Sequence, residues 1–463
     1  MTTATRPDIL PAPSRPVHTP PGPARSLALT TLLRRLTGKP INRLALLSEV
    51  RQYGDIAFFA LKPGMYAYLL MHPDMVKYVL VDAADKFHKG PLFKTQAEPV
   101  LGKGLLLSED EFHKRQRKLA QPAFHHQRVI AYGDVMVRYT ERLTERWQPG
   151  QQVDIHHEMM RLTMEIVAKT LFDADVSGEA ESIGEAITES IHRLNERMVA
   201  PVNLPTWVPT KKRDRAQAAA ATLEKAVMSF ITERRASGED KGDLLSMLLL
   251  AVDADDGGQM TNKQVRDEAM TLFTAGHETT ANALTWAFYL LAQHPHAFAR
   301  LTTELDTVLA GRAPTPKDLA NLPVTDQVIK EAMRLYPPAW IINRQVMEEV
   351  QIGGYPVPKG ALIFISPYLM HRDARFFPEP ESFQPERWTP EFEKALPKYA
   401  YFPFGGGPRV CIGQQFALME ARLILAAVAK DWRMSLVADQ QIEVEPLITL
   451  RAKHGIRVRL EQR

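Results

Sequence analysis

The chain has 463 residues, of which 45% are apolar and 24% charged, a globular composition that excludes a wholly disordered, collagen-like or disulfide-scaffold chain. Its 57 basic and 54 acidic residues give a net charge of +3, which is too balanced to indicate a nucleic-acid-binding protein. The single cysteine allows no internal disulfide and is typical of a reducing compartment, so we expect a cytoplasmic protein.

Residues 1–25 are rich in proline and poor in large apolar side chains, which predicts an extended or disordered leader before a single domain at residues 26–463. The start does not resemble a signal peptide, and no stretch approaches the roughly 20 apolar residues of a membrane span. The amphipathic stretch Leu27–Leu36 is interpreted as a first packed helix, with contact to a membrane surface as the alternative.

The next segments predict a mixed fold. Two aromatic and β-branched runs, Ile56–Ala60 and Tyr66–Met71, flank a Lys-Pro-Gly turn and predict a β-hairpin, after which His72-Pro73 opens a helix. Helical periodicity dominates residues 109–335, and glycine and proline then punctuate short strands before a last helix at Gly413–Lys430. We therefore predict a mainly α fold with a small β-rich part assembled from both ends of the chain (α+β).

One helix is predicted to be exceptionally long. It begins at a capping box near Thr261 and ends before His294, and its roughly 30 residues span about 45 Å, enough to cross the molecule. Its centre, residues 275–280, reads Ala-Gly-His-Glu-Thr-Thr, and glycine and threonine are poor helix formers. We expect the Thr279 hydroxyl to donate to the Ala275 carbonyl and distort the helix. A glycine kink for packing, with a solvated glutamate, is the alternative.

The only cysteine, Cys411, lies in the segment Phe-Gly-Gly-Gly-Pro-Arg-Val-Cys-Ile-Gly (residues 404–413), just before the last helix. A lone cysteine is most often a small buried hydrophobe. Here three glycines let the backbone approach a planar group, Arg409 lies nearby, and the helix N-terminus stabilises a thiolate. Such a thiolate suits a haem iron. A zinc site would need more Cys or His ligands, and a cysteine nucleophile would need a general base that the sequence does not place.

The spacing Phe404-x-x-Gly407-x-Arg409-x-Cys411-x-Gly413 resembles the haem-binding signature of the cytochrome P450 superfamily. The resemblance covers roughly residues 40–463. It implies haem b with Cys411 as the axial ligand to iron, and a long central helix crossing over the haem.

Two further motifs resemble this family. Glu331-Ala-Met-Arg334 and the later Arg387 resemble a buried structural triad, and Trp388 stands where the family commonly has phenylalanine. Residues 275–280 resemble the oxygen-activation sequence, which implies that Glu278 and Thr279 deliver protons during oxygen activation. Ala275 and Gly276 would then lie beside the cofactor, and His277 would be a bystander.

Basic residues complete the predicted site. By resemblance, His113, Arg117, Arg344 and Arg409 are expected to bind the haem propionates, His113 standing where the family often has tryptophan. The basic run around residues 114–118 predicts docking of an acidic electron donor, a ferredoxin or flavodoxin with its reductase.

The resemblance implies a monooxygenase that inserts one oxygen atom from O2 into an apolar organic substrate by hydroxylation or epoxidation. Its pocket would be lined by parts of Lys94–Leu107, Met270–Ala275, Pro338–Ile342 and Leu447–Thr449. A fatty acid, terpenoid, steroid and polyketide stay open as substrates. A peroxide-using or rearranging enzyme and a haem-thiolate sensor or carrier are the alternatives; the acid–threonine pair argues against both. We expect a monomer.

Overall fold

The computed structural model describes residues 18–23, 26–27, 30, 42–62, 64–176, 178–199, 210–250 and 259–463. Most of the predicted leader and of the stretch 27–36 lies outside the described residues. Within residues 18–23, the Pro21 carbonyl accepts a 3.0 Å hydrogen bond from the Phe58 backbone N–H, so this part of the chain lies against the first strand.

Helices form most of the described structure, which confirms the predicted mainly α fold. They are α1 (Arg43–Arg51), α2 (Pro73–Lys77), α3 (Pro91–Leu101), α4 (Asp110–Ala120), α5 (His126–Thr144), α6 (Ile155–Phe172), α7 (Ala180–Val199), α8 (Lys211–Ser237), α9 (Leu244–Leu250), α10 (Asn262–Gln293), α11 (Pro295–Leu309), α12 (Pro323–Leu335), α13 (Pro367–Met370), α14 (Pro390–Ala395) and α15 (Gln414–Asp431). A π-helical turn, Tyr78–Asp82, follows α2. No helix in the described ranges is long and apolar enough to cross a membrane.

The strands come from both ends of the chain. They are β1 (Ile56–Lys62), β2 (Met65–Leu70), β3 (Phe87–His88), β4 (Gln152–Asp154), β5 (Ile342–Val346), β6 (Val350–Ile352), β7 (Tyr355–Val357), β8 (Leu362–Ile365), β9 (Trp432–Leu436), β10 (Val444–Pro446), β11 (Leu450–Ala452) and β12 (Arg457–Gln462). The largest sheet has the order β1-β2-β8-β5-β3, and β4-β12-β9, β10-β11 and β6-β7 form smaller sheets. The hairpin β1–β2 is antiparallel with Ile56 opposite Leu70, as predicted.

The central helix α10 has 32 residues and begins at the predicted capping box, in which the Thr261 hydroxyl and the Gln264 side chain each bond the other's backbone N–H. It packs against α6, α8, α12 and α15, so most of its side chains are buried on every side. The main apolar core surrounds this helix, and a second cluster lies beneath the largest sheet. α10 therefore positions residues 275–280 in the middle of the molecule.

Helix α3 is an element that the sequence analysis does not predict. Pro91 occupies its first turn, where the missing N–H costs nothing, while Pro99 lies inside the helix, where proline normally argues against one. The apolar residues Ala97 and Leu101 are buried in a small separate cluster that stabilises the helix despite Pro99. Tertiary packing here outweighs local propensity.

Candidate active site

The Cys411 loop connects the β-rich part to α15. The backbone N–H of Cys411 donates to the Phe404 carbonyl at 3.0 Å, and Gly413 is the N-cap of α15. Burial raises the pKa of the Cys411 thiol, while the Gly413 N–H and the nearby Arg117 guanidinium lower it. The side chain is nonetheless accessible, so it lies deep in the fold and borders an open space.

Gly407 is required by backbone packing. Its φ of +63° is in the left-handed region, and a Cβ there would lie 1.8 Å from the Leu80 carbonyl oxygen of the π-helical turn. Gly413 is different, because a Cβ would lie an ordinary 3.8 Å from the Phe124 ring. The protein's own packing therefore allows a side chain at Gly413, and a cofactor above the turn would explain the glycine.

The open space has a second wall on α10. Ala275 is exposed and Thr279 partly exposed, although most of the neighbouring residues on this helix are buried. Thr280 lies near the buried Glu420 of α15, so α10 packs against the helix that follows Cys411. We infer that Ala275, Thr279 and Cys411 border one interior space, called the central hollow below.

The Thr279 hydroxyl donates to the Ala275 carbonyl at 2.9 Å, the bond expected from the sequence. The helix nevertheless continues unbroken through this segment. At Gly276 a Cβ would lie 3.1 Å from Val167 on α6, so this glycine allows a close approach of the two helices. Thr279 thus presents its hydroxyl near the hollow from a regular helix.

Glu278 is buried and contacts the segment at β11. Its Oε1 accepts a 2.6 Å bond from the Thr449 hydroxyl and a 3.1 Å bond from the Arg451 guanidinium of β11. Burial raises the pKa of Glu278, and the charge of Arg451 opposes the shift. Arg451 also lies 3.3 Å from His192 Nε2 on α7. The sequence carries no local signal for these partners, which lie more than 170 residues away.

His277, expected to be a bystander, is fully buried, and its backbone carbonyl accepts a 3.0 Å bond from the Thr163 hydroxyl. Both of its ring nitrogens are without partners among the described residues, as are His156 Nδ1, Asn282 Oδ1 and Arg451 Nε. Burial lowers the pKa of His277 to about 4, so the ring is neutral at pH 7. Clustered buried polar atoms of this kind are normally satisfied by bound water.

The four predicted propionate-binding residues lie in one cluster of cationic side chains, which also contains Lys89. Burial, together with the charges of Arg344 and Arg409, lowers the pKa of Lys89 to about 7. His113 is neutral, because burial, Arg409 and Lys89 bring its pKa to about 3. Burial and Arg409 lower the pKa of Arg344 to about 10. Lys89 is not predicted from the sequence, because a lysine before Gly-Pro has no distinctive pattern.

The carboxylate of Glu109 is the anion that this cluster contacts. It bonds Arg409 and accepts the Lys89 backbone N–H at 2.8 Å, and Arg409 donates to the Ser108 carbonyl at 2.6 Å. Arg117 donates to the Val410 carbonyl at 2.8 Å, beside Cys411. The local charge is therefore strongly positive.

This excess of positive charge is the test of whether haem fits the site. The cluster is surrounded by protein, yet the side chains of Lys89, Arg117, Arg344 and Arg409 are only half-buried, so there is space beside them. A dianionic group would offset the burial and the mutual repulsion that lower the pKa values of Lys89, Arg344 and Arg409. The two propionates of haem supply that charge, so the residues present fit the group.

The triad is assembled around Glu331, which like Arg334 is fully buried. Arg334 donates two bonds of 2.8 Å to its two oxygens, and Arg387 donates one of 3.0 Å. The Gln384 backbone N–H adds another at 3.0 Å, and the Trp388 indole N–H donates at 2.8 Å. Trp388 thus contributes a hydrogen bond that phenylalanine could not make.

A basic cleft of 690 Å³ lies on the side of the Cys411 loop that faces α4. Its charged lining includes Lys114, Arg117, Lys118 and Arg128, and Pro408 of the cysteine loop forms part of its wall. Phe112 and Ile130, on the helices that carry these residues, are exposed. A cationic face with apolar residues is suited to an acidic protein partner.

Comparison with known proteins agrees with this geometry. The cytochrome P450 family profile matches residues 20–456. The chain is 40% identical over 411 residues to cyclooctatin synthase of Streptomyces melanosporofaciens, covering 88% of this chain and 89% of that protein. It is 38% identical over 428 residues to cyclooctat-9-en-7-ol 5-monooxygenase of the same organism, covering 91% of each. It is 34% identical over 422 residues to pentalenene oxygenase of Streptomyces avermitilis, covering 91% of this chain and 93% of that protein. The chain belongs to the cytochrome P450 family of haem-thiolate monooxygenases, as its motifs predict.

Proposed function

We propose that Cys411 is the axial thiolate of haem b and that this monooxygenase oxidises a terpenoid alkene or the alcohol derived from it. The observation that carries the proposal is the accessible sulfur of the only cysteine, which borders the central hollow beside a buried cluster of cations. When bound, a thiolate-ligated haem activates O2 so that one oxygen atom enters the substrate.

The protein's own residues hold the cofactor and manage protons. Lys89, Arg117, Arg344 and Arg409 would bind the propionates, with neutral His113 as a further donor. The Thr279 hydroxyl, at the edge of the hollow, would hold a proton for the oxygen-activation step. Glu278 would supply that proton after leaving its buried pair with Arg451, or through the water expected beside it.

The substrate class rests on two observations. Two of the segments expected to line the pocket meet at the apolar residues Trp340 and Leu447. The Trp340 indole N–H donates to the Leu447 carbonyl at 2.9 Å, which holds the two segments together. The names of two relatives specify an alkene, pentalenene, and an unsaturated alcohol, cyclooctat-9-en-7-ol. Both point to a compact, mostly hydrocarbon substrate rather than to a charged one.

We propose that electrons come from a ferredoxin or flavodoxin with its reductase, docked at the basic cleft. The cleft supports this because cationic side chains line it next to the cysteine loop. A monomeric, cytoplasmic enzyme stays a prediction from the sequence.

The difference spectrum of the reduced, carbon monoxide-bound protein tests the ligand. The wild type should give a strongly red-shifted Soret band, and Cys411→Ser should lack it. An imidazole-type spectrum that is indifferent to Cys411→Ser would refute thiolate ligation. Turnover of pentalenene and cyclooctat-9-en-7-ol with a ferredoxin system, against peroxide alone, then tests the reaction: activity with peroxide alone would favour a peroxygenase.

A further inference from the structure

Two carboxylates at the start of α10 hold the backbone of the segment that follows α3. Asp267 Oδ2 accepts a 2.9 Å bond from the Lys103 N–H, and Glu268 Oε2 accepts a 2.9 Å bond from the Leu105 N–H. Hydrogen bonds with a charged partner are shorter and stronger than neutral ones. Residues 102–108, called the strap below, are therefore fixed to α10 through their main chain.

The contact is close enough to require glycine. A Cβ at Gly104 would lie 2.4 Å from both the Asp267 carbonyl oxygen and the Thr271 hydroxyl. Any side chain there would lift the strap from the helix.

The strap runs along the central hollow. Gly104 contacts Thr271, which lies one turn, about 6 Å, before Ala275 on the same face of α10. At the other end of the strap, the Ser108 carbonyl accepts a 2.6 Å bond from Arg409 of the cysteine loop. The strap thus spans from the first turns of α10, one turn before the exposed Ala275, to the cation cluster.

Apolar packing at the strap is separate from the main core. Leu107 packs with Ala97 and Leu101 of α3 and with Leu194 of α7 in a small cluster of its own. On the side of α10, a movement of the strap must break the two carboxylate hydrogen bonds.

Glu268 lies at this contact although burial there is costly for a carboxylate. Its side chain is 1% exposed, and burial raises its pKa to about 7, with the charge of Asp267 adding to the shift. A buried carboxylate that does not strengthen the core needs another explanation.

We propose that Asp267 and Glu268 are positioning residues that latch the strap over the central hollow, and that release of this latch limits the admission of bulky ligands to the haem. The inference rests on the family's haem site and not on the proposed terpenoid substrate.

Azole binding to the ferric holoprotein tests the latch without knowledge of the substrate. Stopped-flow measurement of the Soret shift compares 4-phenylimidazole, which needs an open strap, with the much smaller imidazole. At a pH well above 7, where the Glu268 carboxylate is ionised, we expect Glu268→Gln and Asp267→Asn each to raise the association rate of 4-phenylimidazole about tenfold, the effect of weakening one charged hydrogen bond. The rate for imidazole should change less than about twofold.

Two further variants separate the latch from general destabilisation. Gly104→Ala places a methyl group between the strap and α10 and so lifts the strap without changing either carboxylate. It should raise the association rate of 4-phenylimidazole in the same way. Glu98→Gln is the matched control, because the Glu98 carboxylate pairs with the Lys103 ammonium at 3.5 Å and not with a backbone N–H of the strap. It should leave both rates unchanged.

Amide hydrogen exchange supplies the second measurement. The Lys103 and Leu105 amides should exchange faster in Asp267→Asn and Glu268→Gln respectively, while amides at the centre of α10 keep their protection. Unchanged exchange at these two amides, or an equal acceleration of both azoles, would overturn the proposal. A protein that binds azoles as expected but oxidises no terpenoid would refute only the proposed substrate.

Discussion

Trp388→Phe removes one hydrogen bond from a buried carboxylate and keeps an aromatic ring in place. The indole N–H of Trp388 donates to Glu331 at 2.8 Å, and the side chain is 3% exposed, so water cannot readily replace the lost donor. Glu331 keeps its bonds from Arg334, Arg387 and the Gln384 N–H. The substitution therefore weakens the triad without breaking its ion pairs.

The expected loss in the free energy of unfolding is about 2 kcal/mol, the middle of the range for a hydrogen bond to a charged group. Removing a whole ionic partner would cost about 3–5 kcal/mol, because it leaves a buried charge unpaired. Trp286→Phe is the matched control. Its indole N–H donates to the neutral Leu450 carbonyl at 3.1 Å, so that loss should be about 1 kcal/mol.

Urea unfolding of the two holoproteins, followed by circular dichroism, measures both losses. Trp388→Phe should be the more destabilised by about 1 kcal/mol, or about fivefold in the unfolding equilibrium. Equal destabilisation of the two variants, or a Trp388→Phe protein within about 0.5 kcal/mol of the wild type, would refute the argument that the indole supports the Glu331 charge.

Two other variants probe α10. Thr279→Ala should retain haem but divert several-fold more electrons to peroxide, measured as peroxide formed per electron consumed; unchanged coupling would remove Thr279 from proton delivery. Arg451→Leu leaves the Glu278 carboxylate buried without its cation and should cost about 3–5 kcal/mol at neutral pH by urea unfolding. That loss of stability should shrink as the pH falls towards 4.5. Burial raises the pKa of Glu278, so at low pH the folded variant holds a neutral acid that needs no cation. A loss that does not change with pH would contradict this role for Arg451.

Local sequence signals predict the parts of the fold that depend on local interactions. The capping box at Thr261 and the helical period place α10 almost to the residue, and the turn between β1 and β2 places the hairpin. The turn in the cysteine loop can also be predicted, because Gly407 adopts a positive φ that few residues other than glycine allow.

The rest of the site depends on contacts between distant segments. Glu278 has a clear motif, but its partners Thr449 and Arg451 lie more than 170 residues later, just before β11 and within it. From the sequence, Trp388 is only one aromatic residue in place of another. The structure shows that its indole N–H donates to Glu331. Lys89 becomes part of the site only where β3 and β5 pair, which brings it beside Arg344. Such partners follow from tertiary packing, which no local pattern encodes.

Charge balance distinguishes the residues that serve the fold from those that serve the cofactor. Arg234 lies buried against Asp243 with bonds of 2.6 and 2.7 Å, and Glu331 is surrounded by its donors, so each of these charges is neutralised by the protein itself. The cluster around Lys89 and Arg344 has more cations than the nearby carboxylates of Glu109 and Asp110 balance. Burying unbalanced charge is costly, and a fold that balances its structural ion pairs would not retain that cost without compensation. The excess cations are suited to binding an anionic cofactor, whereas the balanced pairs stabilise the protein itself.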